Sequence, residues 1–423
     1  MWWPAPVADG ALDVSVALPG SKSLTNRALV LAAMADGPSV VRRPLRSRDT
    51  ELMAQALQAL GAQIDTSGDD WSVTPITAPL AASSIDCGLA GTVMRFVPAL
   101  AASIATVAHF DGDPHARTRP MGSMITALRD LGVVIDDGGR GALPFTVQGA
   151  EDQPGGLVRL DASASSQFVS ALLLAAPRYA RGIEIEHIGA PIPSQPHLDM
   201  TVACLRERGV VVDDSQPNRW RVEPGAVQAL DVDIEPDLSN AAPFLMLAMT
   251  TGGQVTIPHW PLRTTQPGDA LRDLLTRMGA DIVLDDRGLT VRGDGSIHGI
   301  EVDLHDLGEL TPALAALCAL ADSPSHLSGI AHIRGHETDR LAALATELNR
   351  LGALVEETTD GLRIQPSTVH GGQFRTYADH RMAHAAAVIG SVVPGVEIEN
   401  IDTTSKTFPG FADAWTQAVT GPR

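Results

Sequence analysis

The sequence predicts an α/β protein of two similar lobes. Three observations carry that expectation: a length of 423 residues, a phrase that recurs five times, and a hairpin pattern after each recurrence. The length exceeds one ordinary core and suits two domains of roughly 200 residues each. The phrase is a helical leucine pattern, a glycine and a β-branched run. It reads L-Q-A-L-G-A-Q-I-D at 57–65, L-R-D-L-G-V-V-I-D at 128–136, L-R-E-R-G-V-V-V-D at 205–213, L-T-R-M-G-A-D-I-V at 275–283 and L-N-R-L-G-A-L-V-E at 348–356. Its glycines, Gly61, Gly132, Gly209, Gly279 and Gly352, stand 71, 77, 70 and 73 residues apart.

Each glycine occupies the place just past a helix end, where a left-handed residue is favoured, and the alternation after it reads as a hairpin. The repeating unit is therefore strand, helix, strand, helix, hairpin, and a degenerate copy from Phe374 onward makes six. The period is far longer than that of a solenoid, so three units per compact lobe are expected, with the cleft between lobes as the ligand site. Arg129, Arg206, Arg208, Arg272, Arg277 and Arg350 lie in the helices before the glycines and read as solvated-face charges.

Composition narrows the function. The chain is 44% hydrophobic and 19% charged, with mean hydropathy +0.06, as a globular protein is. Met1-Trp2-Trp3-Pro4 lacks a basic leader, and no run of about 18 uninterrupted apolar residues occurs, so a cytoplasmic chain without membrane contact is expected. Cys87, Cys204 and Cys318 have neither metal-site spacing nor an even disulfide count, and read as small buried side chains. The formal net charge of −19 disfavours nucleic acid. An anionic ligand must then be held by a local group of cations.

Such groups are present. L-P-G-S-K-S-L-T-N-R at 18–27 sets Lys22 and Arg27 among hydroxyls at a helix start, where unpaired N–H groups and the dipole favour anions. It is not a phosphate-binding Walker loop, because Ser21 stands where a glycine must precede the lysine. G-L-A-G-T-V-M-R at 88–95 and D-A-S-A-S-S-Q-F at 161–168 precede apolar helices. R-T-R-P at 117–120, H-E-T-D-R at 336–340, D-H-R-M-A-H at 379–384 and S-K-T-F-P at 405–409 add Arg119, Arg340, Arg381 and Lys406. His336-Glu337 does not form a zinc motif, since Arg340 replaces the second histidine, and His380 and His384 lack a third ligand. No metal is expected.

These seven motifs, in chain order and over residues 18 to 412, resemble the 5-enolpyruvylshikimate-3-phosphate synthases, the 3-phosphoshikimate 1-carboxyvinyltransferases. The resemblance implies two lobes of three βαβαββ units each, an inside-out α/β barrel arrangement, with residues 18–234 as the first lobe and 1–17 plus 235–423 as the second. It implies transfer of the enolpyruvyl group of phosphoenolpyruvate to the 5-hydroxyl of shikimate 3-phosphate, with no cofactor, by a monomer. Glu309, Glu337 and Lys22 match the catalytic positions. Lys22, Ser23, Arg27, Ser165, Ser166, Gln167, Ser194, Glu309 and His336 match contacts to shikimate 3-phosphate. Lys22, Gly91, Arg119, Gln167, Arg340, Arg381 and Lys406 match the phosphoenolpyruvate cradle. Family members with glycine in the A-G-T segment generally admit the phosphonate glyphosate.

Four positions depart from the usual pattern. Leu89 replaces an asparagine, Phe96 a proline, His332 an asparagine and His336 a lysine. Two other functions compete. A UDP-N-acetylglucosamine enolpyruvyl transferase would carry a reactive cysteine in the stretch Phe110 to Pro120, which has none. A non-catalytic anion binder would have no use for Glu309 and Glu337 beside anionic ligands.

Overall fold

The structure, a computed structural model, describes residues 1–421. The chain divides into two compact domains: Gly20–Ile234, the first, and Met1–Pro19 together with Glu235–Arg423, the second. Each has its own hydrophobic core.

One sheet plan recurs. In the second repeat, Ala82–Asp86 runs parallel to Val107–Asp111, which is antiparallel to Phe145–Gln148, itself antiparallel to Val134–Asp136. The third repeat, with strands from Gly156–Leu160 to Arg219–Val222, and the fifth, from Glu301–Asp303 to Leu362–Gln365, follow the same order. In the first repeat the leading strand comes from the far end of the domain, Val232–Asp233, parallel to Ser39–Arg42. In the fourth it comes from near the amino terminus, Asp13–Ser15, parallel to Gln254–Pro258. Trp2–Pro4 then completes the sixth sheet, antiparallel to Val396–Glu399, which runs parallel to Gly372–Phe374. None of the sheets closes into a barrel.

The first helix of each repeat is apolar almost all round, and such helices must be buried. Lys22–Ala33, Gly91–Ala102 and Gln167–Ala175 pack on one another inside the first domain. Leu238–Thr251, Thr311–Cys318 and His380–Gly390 do so inside the second. The second helices are amphipathic and carry the repeat glycines just past their ends. All five glycines adopt positive φ, from 76° to 111°. A latch spans four of these turns: the residue three before the glycine donates to the carbonyl three after it. Gln58 bonds Ile64 O, Arg129 bonds Ile135 O, Arg206 bonds Val212 O and Asn349 bonds Val355 O, at 2.8 to 2.9 Å.

Arg208 departs from the solvated-face expectation. It caps the helix Gln195–Glu207 and is 2% exposed, because the returning chain covers it. Its guanidinium donates to the Gln228 and Leu230 carbonyls at 3.2 and 3.3 Å. The burial that this costs is offset by satisfying two otherwise bare acceptors.

Gly61→Ala should destabilise the first domain by about 1–3 kcal/mol, since a Cβ at φ +111° meets the Ala78 carbonyl oxygen at 2.7 Å. Gly122→Ala, with nothing within 4 Å of its Cβ, should not. Urea midpoints of the two variants check this; equal midpoints would contradict it.

Candidate active site

In each domain the starts of the three buried helices converge, and first-turn polar side chains hold them there. In the first domain Asn26 Nδ2 donates to Thr92 Oγ1 at 2.8 Å, joining the helices that begin at Lys22 and Gly91. Arg27, 1% exposed, donates to Thr201 Oγ1 at 2.8 Å, to the Ser23 and His197 carbonyls at 3.0 Å and to Ser170 Oγ at 3.3 Å. Burial lowers its pKa to about 10, partly offset by Cys204. Arg27, which matches a shikimate 3-phosphate contact, is also a buried tie between helix starts.

Around it lie the other expected residues of this domain. Ser21 caps the first helix, so Lys22 is its first residue; Lys22 Nζ sits 3.6 Å from the buried carboxylate of Asp49. Ser166 precedes the helix that starts at Gln167, and Ser165 Oγ accepts from the Gln167 N–H at 3.3 Å. Ser194 caps the helix Gln195–Glu207 with a left-handed backbone, φ 60°. Gly91 opens its helix beside two guanidinium groups: a Cβ there would lie 3.1 Å from Arg95 Nη1 and 3.2 Å from Arg119 Nη1. Arg119 Nη1 also reaches the Leu89 carbonyl at 3.4 Å, a backbone contact that the change from asparagine leaves intact.

The second domain repeats the device with opposite charges interleaved. Pro243 has no N–H, so the Ser239 carbonyl one turn earlier has no helical partner. Arg381 Nη1 donates to it at 3.0 Å, and to Asn240 Oδ1 at 3.2 Å. Arg381 also pairs with Glu309 Oε2, at 3.1 Å from Nη2. Asn240 Nδ2 donates to the Thr407 carbonyl at 3.0 Å, which fixes the segment carrying Lys406. Asp379 caps the helix His380–Gly390 and binds Arg340 through both oxygens, at 2.8 and 3.1 Å. Against the penalty of burial, Asp379 and Glu309 hold the Arg340 guanidinium above its usual pKa.

Glu337 takes Lys406 Nζ on one oxygen and His380 Nδ1, at 2.9 Å, on the other. Burial works to raise this carboxyl, and the His380 and Lys406 partners outweigh it, holding it well below the carboxylate range. Burial lowers the His380 imidazole despite the carboxylate beside it. Glu337, Asp379 and His380 place ligand-type atoms within 4.8 Å of one another, but Lys406 and Arg340 already neutralise the two carboxylates. Asp49 and Asp379 support the site without having been singled out from sequence, and His380, weighed there only as a metal ligand, supports it through Glu337. The last two lie inside the flagged D-H-R motif; Asp49 gave no local signal.

His336, standing where lysine is usual, accepts a hydrogen bond at Nδ1 from Arg340 Nη1 at 3.0 Å, and burial with Arg340 lowers its pKa to about 3. His332 packs edge-on against His305 and His336, ring centroids 5.6 and 5.8 Å away. Burial and then His305 lower its pKa to about 4.

A family model described as EPSP synthase (3-phosphoshikimate 1-carboxyvinyltransferase) matches residues 7–415. The chain is 54% identical over 429 residues to the 3-phosphoshikimate 1-carboxyvinyltransferase of Kocuria rhizophila, covering 99% of this chain and 96% of that protein. It is 51% identical over 425 residues to that of Mycobacterium ulcerans, covering 99% and 98%. Among solved structures it is similar to an EPSP synthase from Acinetobacter baumannii, TM-score 0.84 at 24% identity, covering 98% and 97% of the two chains. It is similar also to the enolpyruvyl transferase NikO from Streptomyces tendae, TM-score 0.75 at 18% identity, covering 98% and 96%.

A histidine that is neutral when folded but protonates when unfolded, near pH 6.5, gives stability that is present above that pH and is lost as pH falls toward its folded value. Stability should therefore drop between about pH 6.5 and 4, and His332→Asn should make the drop shallower. Urea midpoints at steps across that window check it; identical slopes in parent and variant would contradict it.

Proposed function

The chain belongs to the EPSP synthase family, and from that premise we propose how its residues carry the reaction. The enzyme transfers the enolpyruvyl group of phosphoenolpyruvate to the 5-hydroxyl of shikimate 3-phosphate and releases phosphate, a step of aromatic biosynthesis. The observation that carries the residue assignment is that Lys22 and Arg381 stand in the first turns of buried helices and Glu309 just before another, while Arg119, Arg340, Glu337 and Lys406 reach such starts through Gly91, Asp379 and His380. Anions favour those positions.

Ser165, Ser166, Ser194 and Ser23 bind shikimate 3-phosphate, with Lys22 and Gln167 touching both substrates. Arg27 contacts shikimate 3-phosphate too and also holds the helix starts that present these groups. Arg119, Arg340, Arg381 and Lys406 receive the carboxylate and phosphate of phosphoenolpyruvate, forks matching paired oxygens. Glu309 takes the proton from the 5-hydroxyl as that oxygen bonds to C2 of phosphoenolpyruvate, and Glu337 delivers a proton to C3. In the free chain Glu337 is ionised and engaged by Lys406. An anionic substrate that draws Lys406 away raises the Glu337 pKa, so the carboxyl gains its proton when the substrate is present. In the elimination Glu337 removes a proton from the new methyl group, the bond from C2 to the phosphate oxygen breaks, and Glu309 returns its proton to the departing phosphate.

Neither competing function has equal support. Cys87, buried beside the Asp111 segment, has its thiol pushed up by burial, the reverse of what a nucleophilic cysteine needs. The reading also takes the enzyme as a cytoplasmic monomer; no helix among the described residues is long and apolar enough to cross a membrane.

Phosphate should be released from phosphoenolpyruvate with shikimate 3-phosphate and not with UDP-N-acetylglucosamine. Lys22→Met, losing charge-assisted contacts worth about 1.5–3 kcal/mol each, should cut turnover at least roughly 100-fold with the fold retained. Turnover within a small factor of the parent would refute the role.

Glyphosate should inhibit in competition with phosphoenolpyruvate. Gly91→Ala sets a methyl group 3.1 to 3.3 Å from the Arg95 and Arg119 guanidinium nitrogens. Overpacking of about 1–3 kcal/mol should weaken glyphosate roughly 5- to 150-fold, more than it weakens the substrate. Inhibition constants at matched phosphoenolpyruvate decide this; an unchanged ratio would show that Gly91 does not face the phosphonate.

A further inference from the structure

Arg95 ends the motif at 88–95 and belongs to the helix Gly91–Ala102. It is 6% exposed, its Nε has no partner, and no ion pair to it occurs among the described residues. The charge that acts on it is another cation, Arg119, and burial first, then that neighbour, lower its pKa to about 9. A buried guanidinium without a carboxylate is costly, so its retention needs a reason other than stability.

Its contacts supply one. Arg95 Nη1 donates to Gln167 Oε1 at 2.5 Å, and the guanidinium lies over the Phe168 ring at 5.3 Å. Phe168 thereby holds the plane that faces the amide. A guanidinium can only donate, so its partner on Gln167 must be the oxygen, and the amide cannot turn end for end. We propose that Arg95 is a positioning residue: by occupying Oε1 it leaves Gln167 only its Nε2 donors, so that Gln167 selects acceptor oxygens on the substrates. The inference rests on the family reaction and on Gln167 touching substrate. Glutamine suits this place and glutamate does not, because a carboxylate would keep Arg95 satisfied while presenting an acceptor to anionic ligands.

The test is a double-mutant cycle in the full chain with Arg95→Met, Gln167→Ala and both, measuring kcat, both KM values and thermal midpoints. Each single change should lower kcat/KM by about tenfold or more, chiefly through KM, and the double variant should be no worse than the worse single one. Losses that multiply, or an Arg95→Met enzyme with parental KM and only a lower thermal midpoint, would overturn the proposal. If Arg95→Met does not fold, Arg95→Gln, whose amide can present either an N–H or an oxygen to Gln167, takes its place in the cycle, with the same non-additivity expected. An inactive parent would overturn the assigned reaction instead, whereas an active parent with independent losses overturns this inference alone.

Discussion

Arg27 donates to groups on three segments of its domain, and Arg381 ties its own helix start to two other segments in the other, so each buried guanidinium acts as a knot where three segments meet. The constraint is electrostatic. Three positive helix ends, with their unpaired N–H groups, converge at one end of each core. A buried cation among them raises the local potential further, and the structure tolerates this only by giving the guanidinium carbonyls, hydroxyls and, in the second domain, carboxylates to bind. The remaining potential is what an anion relieves. Hence a chain of net charge −19 can hold multiply charged anions.

The two domains manage that potential differently. In the first, Asp49 lies at 3.6 Å from Lys22, and Arg95 meets the Gln167 amide oxygen and the Phe168 ring. In the second, every motif cation is already paired: Arg340 with Asp379, Arg381 with Glu309, Lys406 with Glu337. Ligand anions therefore compete with internal carboxylates there, and that competition couples binding to the protonation of Glu337. His336 removes a fixed positive charge that lysine would supply, leaving Arg340 as the cation at that corner.

Much of this was legible in the sequence because it is local. Positive φ at Gly61, Gly132, Gly209, Gly279 and Gly352 follows from a helix end meeting a hairpin, and the repeat spacing carries the count of sheets. The motifs named most of the residues at the helix starts. What escaped was non-local. The burial of Arg208 depends on a segment twenty residues on, and the knot formed by Arg27 depends on Ser170, His197 and Thr201, far along the chain. Arg95 ends the flagged 88–95 motif, but its partner, Gln167, lies 72 positions away and no local pattern joins the two.

The measurement that bears most directly on the convergent helix starts is a crystal structure of the full chain with shikimate 3-phosphate and an unreactive phosphoenolpyruvate analogue. The account predicts the shikimate phosphate within hydrogen-bond reach of Ser165 and Ser166 at the start of the Gln167 helix, and the analogue's anionic group on Arg119 beside Gly91. Anions bound away from these helix starts, with Arg119 and Ser166 free of ligand, would contradict it.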